Sequence, residues 1–225
     1  MNKYFKLLVC VLVSLFAFNL SVNAATKSTN LVEAVNEEIE YFGNKDNFEK
    51  EETFQAYQEY VSAMKAADLS SYSESDDKVN VYIFRGYSCW HCLDEITWLA
   101  SNYSELSDLI NVHTYEVWEN KNNSKLMNLV AKQLGKQVSG VPFTVIGNTT
   151  YSGFSEETGA AIVAKAKELK ASTERYDIKN VINLDEVTLI GEESAKGSSK
   201  VVVYILIATV VIGGAVLIYL ISKSK

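Results

Sequence analysis

The chain of 225 residues is acidic: 28 Asp and Glu stand against 21 Lys and Arg, which gives a formal net charge of −7. This balance argues against nucleic acid or an anionic lipid surface as a partner. The length and the 48% hydrophobic content suit one domain of ordinary size with appendages.

Residues 1–24 are predicted to be a secretory signal peptide. Two lysines give the segment a positive start, an apolar run follows, and small residues precede a cleavage position after Ala24. Because Cys10 would be removed with this segment, the mature chain would keep two cysteines, Cys89 and Cys92.

Residues 25–77 are predicted to form a helical extension and a linker. From residue 31 to about residue 69, apolar and aromatic side chains recur at spacings of three and four, with charges on the other faces. Gly43-Asn44 is expected to divide this stretch into two helices. We expect the extension either to cover part of the domain or to act as an interaction arm.

Residues 78–171 are predicted to form an α/β domain. Its β-branched and aromatic runs indicate strands, and its amphipathic stretches indicate helices. A parallel βαβ unit followed by an antiparallel hairpin would give a mixed sheet flanked by helices. The predicted strands cover 79–84, 110–118, 142–146 and 149–154, and the predicted helices cover 89–103, 124–134 and 155–171, the last capped by Ser155.

Residues 172–200 are predicted to be a polar juxtamembrane stalk with a short ordered piece at 181–189. The 21 residues 201–221 carry no charge and are long enough to cross a hydrocarbon core of about 30 Å. Lysines in the tail, 222–225, predict that this tail is cytoplasmic and that the domain faces outward. Residues 25–200 then hold 17 basic and 28 acidic residues, a net charge of −11.

The pair Cys89 and Cys92, in the sequence FRGYSCWHC, has three possible uses. A disulfide between them would close too short a loop to stabilise a secreted domain. A structural zinc site needs four ligands, and the mature chain adds only His91 and His113 to the two cysteines. Because His91 lies within the same turn as the cysteines, its ring would not reach a metal held by both sulfurs, so no metal is expected. Redox chemistry is the interpretation that we favour.

Cys89 is predicted to lie where a strand gives way to a helix. Unpaired N–H groups and the helix dipole favour a negative charge there, so the pKa of Cys89 should fall. Cys92 would then face inward as the resolving thiol. His91 could be cationic or donate to the Cys89 sulfur and so stabilise the reduced form, and Trp90 offers an apolar face to unfolded substrate.

The chain has a single proline, Pro142, in the sequence VSGVPFTVIG. A proline that opens a strand directly after a helix and a glycine is a candidate for a cis peptide bond. This loop is expected opposite the helix start that carries Cys89. The Val141 backbone could pair there with an extended substrate, as an added strand would.

Together, the Cys89–Cys92 motif and the Gly-Val-Pro sequence resemble the thioredoxin superfamily over residues 78–171. The resemblance implies Cys89 as nucleophile, Cys92 as resolving cysteine and Pro142 as the cis-proline. His91 resembles the same position in disulfide-forming oxidases of the bacterial periplasm and in protein disulfide isomerases. The strand leading into an arginine and then the cysteines resembles thioredoxin-like accessory proteins of bacteriocin loci.

One position departs from this family pattern. Many members carry a buried acid six residues before the first cysteine, where this chain has Ile83. Deprotonation of Cys92 must then rely on Glu95, on water or on the substrate.

The sequence thus predicts a membrane-tethered, extracytoplasmic thiol–disulfide oxidoreductase with a single-pass anchor. Its redox-active disulfide would need no cofactor. Its partners would be the thiols or disulfides of exported proteins and a membrane or extracellular redox partner, with oxidation somewhat favoured. Two other functions stay open: a non-catalytic accessory or binding module, and a reductase fed electrons across the membrane. The cell membrane is the predicted location, and the endoplasmic reticulum membrane is the alternative.

Overall fold

A computed structural model describes residues 26–185 and 187–189. Five strands form one mixed sheet: β1 (Ser28–Asn30), β2 (Val79–Arg85), β3 (Ile110–Glu116), β4 (Phe143–Ile146) and β5 (Thr149–Ser152). Their order is β1-β3-β2-β4-β5, with β2 and β3 parallel and the other three pairings antiparallel. The predicted α/β class, a mixed sheet flanked by helices, is therefore confirmed.

Within the described residues, seven helices surround this sheet: α1 (Leu31–Phe42), α2 (Glu51–Ala56), α3 (Gln58–Ala66), α4 (Trp90–Ser101), α5 (Tyr103–Leu106), α6 (Lys121–Gln133) and α7 (Glu156–Ala171). Short 3-10 turns occupy Lys45–Asn47 and Ile178–Asn180. Two short strands, β6 (Ile182–Asn183) and β7 (Thr188–Leu189), pair with each other.

The central strand β2 is buried on both faces, and all seven of its residues are buried. Val81 and Ile83 face a core built with α1, α3, α4 and α7. Tyr82 and Phe84 face a second core built with α6 and the segment after α7. Since successive side chains of a strand point to opposite faces, β2 is the middle layer of three.

The predicted elements of the domain are present, and their ends differ by a few residues. Helix α6 begins at Lys121, three residues before the prediction, because the Asn120 side chain accepts hydrogen bonds from the N–H groups of Asn122 and Asn123. The Ser155 side chain caps α7 by accepting from the N–H of Thr158, as predicted.

The N-terminal extension belongs to the fold. Strand β1, which the sequence analysis did not identify, pairs with the edge of β3, and α1 starts in a capping box between Asn30 and Glu33. The chain breaks after α1 at Gly43, as expected, and the second predicted helix is divided at Tyr57 into α2 and α3. Six side chains of the N-terminal extension are buried in the core: Leu31, Ala34, Val35, Phe42, Val61 and Met64.

The start of the predicted stalk also packs on the domain. Ile178 and Ile182 are buried in the second core. Asp177 accepts hydrogen bonds from Asn80 Nδ2 at 2.6 Å and from the Tyr82 hydroxyl at 2.7 Å. The short ordered piece predicted at 181–189 forms the β6–β7 pair.

No helix among residues 26–185 and 187–189 has the length and hydropathy needed to cross a bilayer. The predicted signal peptide (1–24), the span 201–221 and the tail 222–225 lie outside the described residues, as does the stalk beyond residue 189.

Candidate active site

The two cysteines lie where β2 passes into α4. Ser88 adopts a left-handed conformation with φ of 68°, which turns the chain from strand to helix. Cys89 is the N-cap of α4, and its carbonyl oxygen accepts the N–H groups of Cys92 and Leu93, both at 3.0 Å. Cys89 is 7% exposed and Cys92 is fully buried. One sulfur therefore borders solvent, and the other lies one helical turn inward.

The pKa of Cys89 is lowered to about 7, and the largest cause is a hydrogen bond from the Cys92 thiol to the Cys89 thiolate. Burial acts in the opposite direction, and hydrogen bonds from backbone N–H groups at the helix start add to the lowering. For Cys92, burial raises the pKa strongly, and the neighbouring thiolate raises it further. Near neutral pH, Cys92 is thus a thiol that donates to a partly ionised Cys89.

The loop before β4 lies directly beside the reactive sulfur. The Cys89 Sγ atom lies 3.7 Å from the carbonyl oxygen of Val141. The peptide bond between Val141 and Pro142 is cis, as predicted, and Pro142 is buried while Val141 is half-buried. The structure therefore brings together four of the predicted site residues from two distant parts of the chain: Cys89, Cys92, Val141 and Pro142.

The other two predicted residues, Trp90 and His91, lie on the outer side of the helix start. Their rings stack with centroids 3.4 Å apart, and Trp90 is 53% exposed. His91 contributes a backbone N–H to Cys89, and no hydrogen bond joins its imidazole to that sulfur in the described part of the chain. Its buried Nδ1 atom has no hydrogen-bond partner there.

Three aromatic side chains in or beside the loop from residue 86 to residue 92 are exposed: Tyr87, Trp90 and Trp118. We call them the aromatic rim. Trp118 follows β3 and lies against Gly86, where an added Cβ would be 2.3 Å from the indole ring. Trp118 is not among the site residues predicted from the sequence. The signal was available, because the carboxyl ends of the parallel strands β2 and β3 meet at one edge of the sheet.

Arg85, the last residue of β2, is fully buried. Its guanidinium donates to Thr114 Oγ1 at 3.1 Å and to Glu38 Oε1 at 2.8 Å, and it also bonds to Glu37. Burial raises the pKa of Glu38 to about 7; Arg85 opposes this rise, and the charge of Cys89 adds to it. The helix α1 thereby brings a buried carboxyl group close to the thiol pair, which no local sequence signal indicated.

Glu95 lies on α4, three residues after Cys92, and is fully buried. Its Oε1 atom accepts a hydrogen bond of 2.7 Å from Thr144 Oγ1, and its Oε2 atom has no partner among the described residues. Burial raises the pKa of Glu95 to about 8, and the charge of Cys89 contributes to the rise. Thr144 is the β4 partner of Ile83, so Glu95 contacts the sheet next to that position of β2.

Comparison with protein-family models, with curated proteins and with solved structures gives no match. Within residues 26–185 and 187–189, no group of three or more His, Cys, Asp or Glu side chains is placed to hold a metal ion. The functional interpretation therefore depends on the fold and on the geometry around Cys89.

Proposed function

We propose that the protein is a membrane-tethered, extracytoplasmic thiol–disulfide oxidoreductase of the thioredoxin type, which exchanges disulfides with exported proteins. The observation that carries this proposal is the Cys89 sulfur. It borders solvent at a helix start, its pKa is about 7, and a buried thiol lies one turn away. A thiolate is the nucleophile in disulfide exchange, and the favoured attacking thiol has a pKa near the ambient pH.

Exchange follows from this geometry in two steps. In the oxidising direction, a substrate thiolate attacks the Cys89 sulfur of a Cys89–Cys92 disulfide, and Cys92 leaves with the electron pair. A second substrate thiolate then attacks the substrate sulfur of the mixed disulfide, which closes the substrate disulfide and releases Cys89 as a thiolate. Two electrons pass to the cysteine pair, and a membrane or extracellular redox partner must remove them.

The surroundings of Cys89 fit an extended polypeptide substrate. The Val141 carbonyl group lies beside the sulfur at the start of β4, where main-chain pairing would hold a substrate strand against the attacking atom. The aromatic rim adds apolar contact area next to it. Both features favour partly unfolded exported proteins over small-molecule disulfides.

The arrangement of the domain supports the thioredoxin resemblance. The parallel β2–α4–β3 unit, the β4–β5 hairpin and α7 follow the order that the resemblance implies. Helices α1 to α3 and the segment 177–189 are additions to that unit. The membrane anchor and the extracytoplasmic location depend on the sequence of residues 1–24 and 201–221.

Two assays test the function: oxidative refolding of a reduced, unfolded substrate protein, and reduction of insulin. We expect turnover by the wild-type chain and at least a hundredfold loss in Cys89→Ser. Cys92→Ser is the matched variant, because it keeps the nucleophile and should accumulate mixed disulfides that Cys89→Ser cannot form. A wild-type protein inactive in both assays would leave a binding module as the function.

The reduction potential of the cysteine pair decides the direction. We expect it in the upper half of the range from about −270 mV for thioredoxin to about −120 mV for the strongest oxidant. A value near the lower end would identify a reductase supplied with electrons through the membrane.

A further inference from the structure

We propose that Glu95 supplies the proton that Cys92 needs when the Cys89–Cys92 disulfide is opened, and that it takes this proton back in the reverse reaction. This inference deepens the proposed function and rests on it. Its basis is a fully buried carboxyl group, on the same helix as the thiols, with one oxygen atom that has no partner among the described residues.

The position of Glu95 relative to Cys92 suits proton transfer. The two residues are three apart on α4, so they are neighbours on one face of the helix, with about 5–6 Å between Cβ atoms. No hydrogen bond that the structure describes joins the two side chains directly, so the proton would cross this separation through one water molecule. The hydrogen bond from Thr144 fixes Oε1 and leaves Oε2 for the transfer.

Cys92 requires such a donor because it is fully buried. When it leaves the disulfide with the electron pair, its negative charge arises away from solvent, where an anion is unfavourable. Transfer of the Glu95 proton converts that thiolate into the thiol, and the negative charge passes to the carboxylate. In the second step, the substrate thiol that closes the substrate disulfide gives up a proton, which replaces the one that Glu95 lost.

The return of the proton to Glu95 follows from the charge of Cys89. Once Cys89 is released as a thiolate, an ionised Glu95 would be a second negative charge in the same buried region. The thiolate therefore raises the pKa of Glu95 and restores the carboxyl proton. Glu38, paired with Arg85, is the other buried carboxyl group on which the Cys89 charge acts.

The test is the rate at which dithiothreitol opens the disulfide of the oxidised full-length protein, measured by acid quenching and alkylation across a range of pH. Rates are divided by the thiolate fraction of the reagent. For the wild type, this corrected rate should fall as pH rises through the pKa of Glu95, which lies below the reduced-state value of about 8 because the oxidised pair carries no Cys89 thiolate. Glu95→Gln keeps an acceptor for Thr144 but has no carboxyl proton, so the rate at low pH should drop about tenfold to a hundredfold and the fall with rising pH should vanish.

Two further variants separate proton transfer from packing. Asp94→Asn neutralises the adjacent, half-buried carboxylate of α4 and should keep the wild-type rate and pH profile. Thr144→Val removes the hydrogen bond that lowers the pKa of Glu95, so the fall in rate should move to higher pH. A purely structural role for Glu95 would change the unfolding midpoint in these variants without moving the pH profile.

Titration of the Glu95 carboxyl band by infrared difference spectroscopy, in reduced wild type and in Cys89→Ser, gives a readout apart from turnover. The pKa should be lower in Cys89→Ser, because the thiolate is absent. If wild type exchanges disulfides while Glu95→Gln keeps the same rate and pH profile, the role of Glu95 is wrong and the proposed function stands. If wild type shows no exchange, both fail.

Discussion

At the scale of single residues, the reactivity of Cys89 depends most on Cys92, the residue with which it forms the disulfide. The Cys92 thiol donates to the Cys89 thiolate, and this hydrogen bond lowers the pKa of Cys89 more than any single backbone N–H group does. Burial keeps Cys92 protonated and so preserves the donor. The two cysteines are a coupled pair in which one sulfur is ionised because the other is not.

Removal of this donor should make Cys89 less acidic. In the reduced wild type, the rate of alkylation by iodoacetamide should rise with pH around a midpoint of about 7. In Cys92→Ala the midpoint should move toward the ordinary thiol value of about 8.5, since the thiol donor is lost while the backbone donors remain. An unchanged midpoint would mean that the helix start alone stabilises the thiolate.

The contact between Gly86 and Trp118 gives a second prediction at this scale. Gly86→Ala would force the indole aside, and we expect a loss of about 1–3 kcal/mol in the free energy of unfolding, measured by chemical denaturation. Gly140→Ala is the matched control, because no atom lies within 4 Å of the Cβ it would add. In a Trp118→Ala background the Gly86 substitution should become nearly neutral; an equal loss there would show that the indole is not the cause.

These residues differ in how far the sequence predicts them. Cys89, Cys92 and Pro142 were identifiable because a CxxC motif and a lone proline after Gly-Val are local patterns. Trp118 and Glu38 reach the site from β3 and α1, so their roles depend on contacts between distant segments. Arg85 was visible beside the motif, but its burial depends on carboxylates that α1 supplies.

At the scale of elements, α1 is what distinguishes this domain from a bare βαβ–ββα unit. It packs on α4 with its buried side chains, and its second turn presents Glu37 and Glu38 to Arg85. Because Arg85 ends β2 directly before the cysteine loop, the contact ties the extension to the strand that positions Cys89. When a buried ion pair of this kind loses one partner, the protein loses stability, because the other charge is left buried without a partner.

Arg85→Met should therefore destabilise the protein in a pH-dependent way. Without the guanidinium, burial would raise the pKa of Glu38 further above its unfolded value of 4.5. A raised carboxyl pKa favours the folded state below the unfolded pKa, and this contribution is lost as pH rises through the folded value. We expect a loss of about 3–5 kcal/mol in the free energy of unfolding at pH 8 and a smaller loss at pH 5.

The matched control is the double variant Arg85→Met with Glu38→Gln, which removes the buried charge together with its partner. It should recover part of the stability at pH 8 and show little difference between the two pH values. A loss of equal size at both pH values in the single variant would mean that packing, not charge, explains the effect.

The elements themselves were predictable where one periodicity governs a long run, as in β2, β3, α4 and α7. Strand β1 was not, since three residues of sequence Ser-Thr-Asn form a strand only because the edge of β3 is available to pair with them. At Tyr57, where α2 ends and α3 begins, the ring packs on Phe42 and Phe48 from earlier in the chain.

At the scale of the whole molecule, both cores are completed by chain outside residues 78–171. Helices α1 and α3 cover the first core, and the segment 177–189 covers part of the second. The segment also meets the N-terminal end, where the N–H of Thr26 donates to the Asp185 carbonyl oxygen at 3.2 Å. The folded unit is therefore larger than the segment that resembles thioredoxin.

Ile182→Ala tests whether this segment belongs to the folded unit. Because Ile182 is fully buried, the substitution should lower the free energy of unfolding by about 2–5 kcal/mol, measured by chemical denaturation. Glu174→Ala, at an exposed position before the segment, should change it by less than about 0.5 kcal/mol. Equal stability of both variants would mean that the segment is not part of the folded unit and belongs to the predicted stalk.

The aromatic rim places tryptophan side chains beside the cysteine pair. The chain contains three tryptophans, and two of them, Trp90 and Trp118, border the cysteine loop. The Trp90 indole is adjacent in sequence to Cys89, and disulfides quench indole emission. The fluorescence of the unlabelled chain should therefore follow the opening of the disulfide in real time.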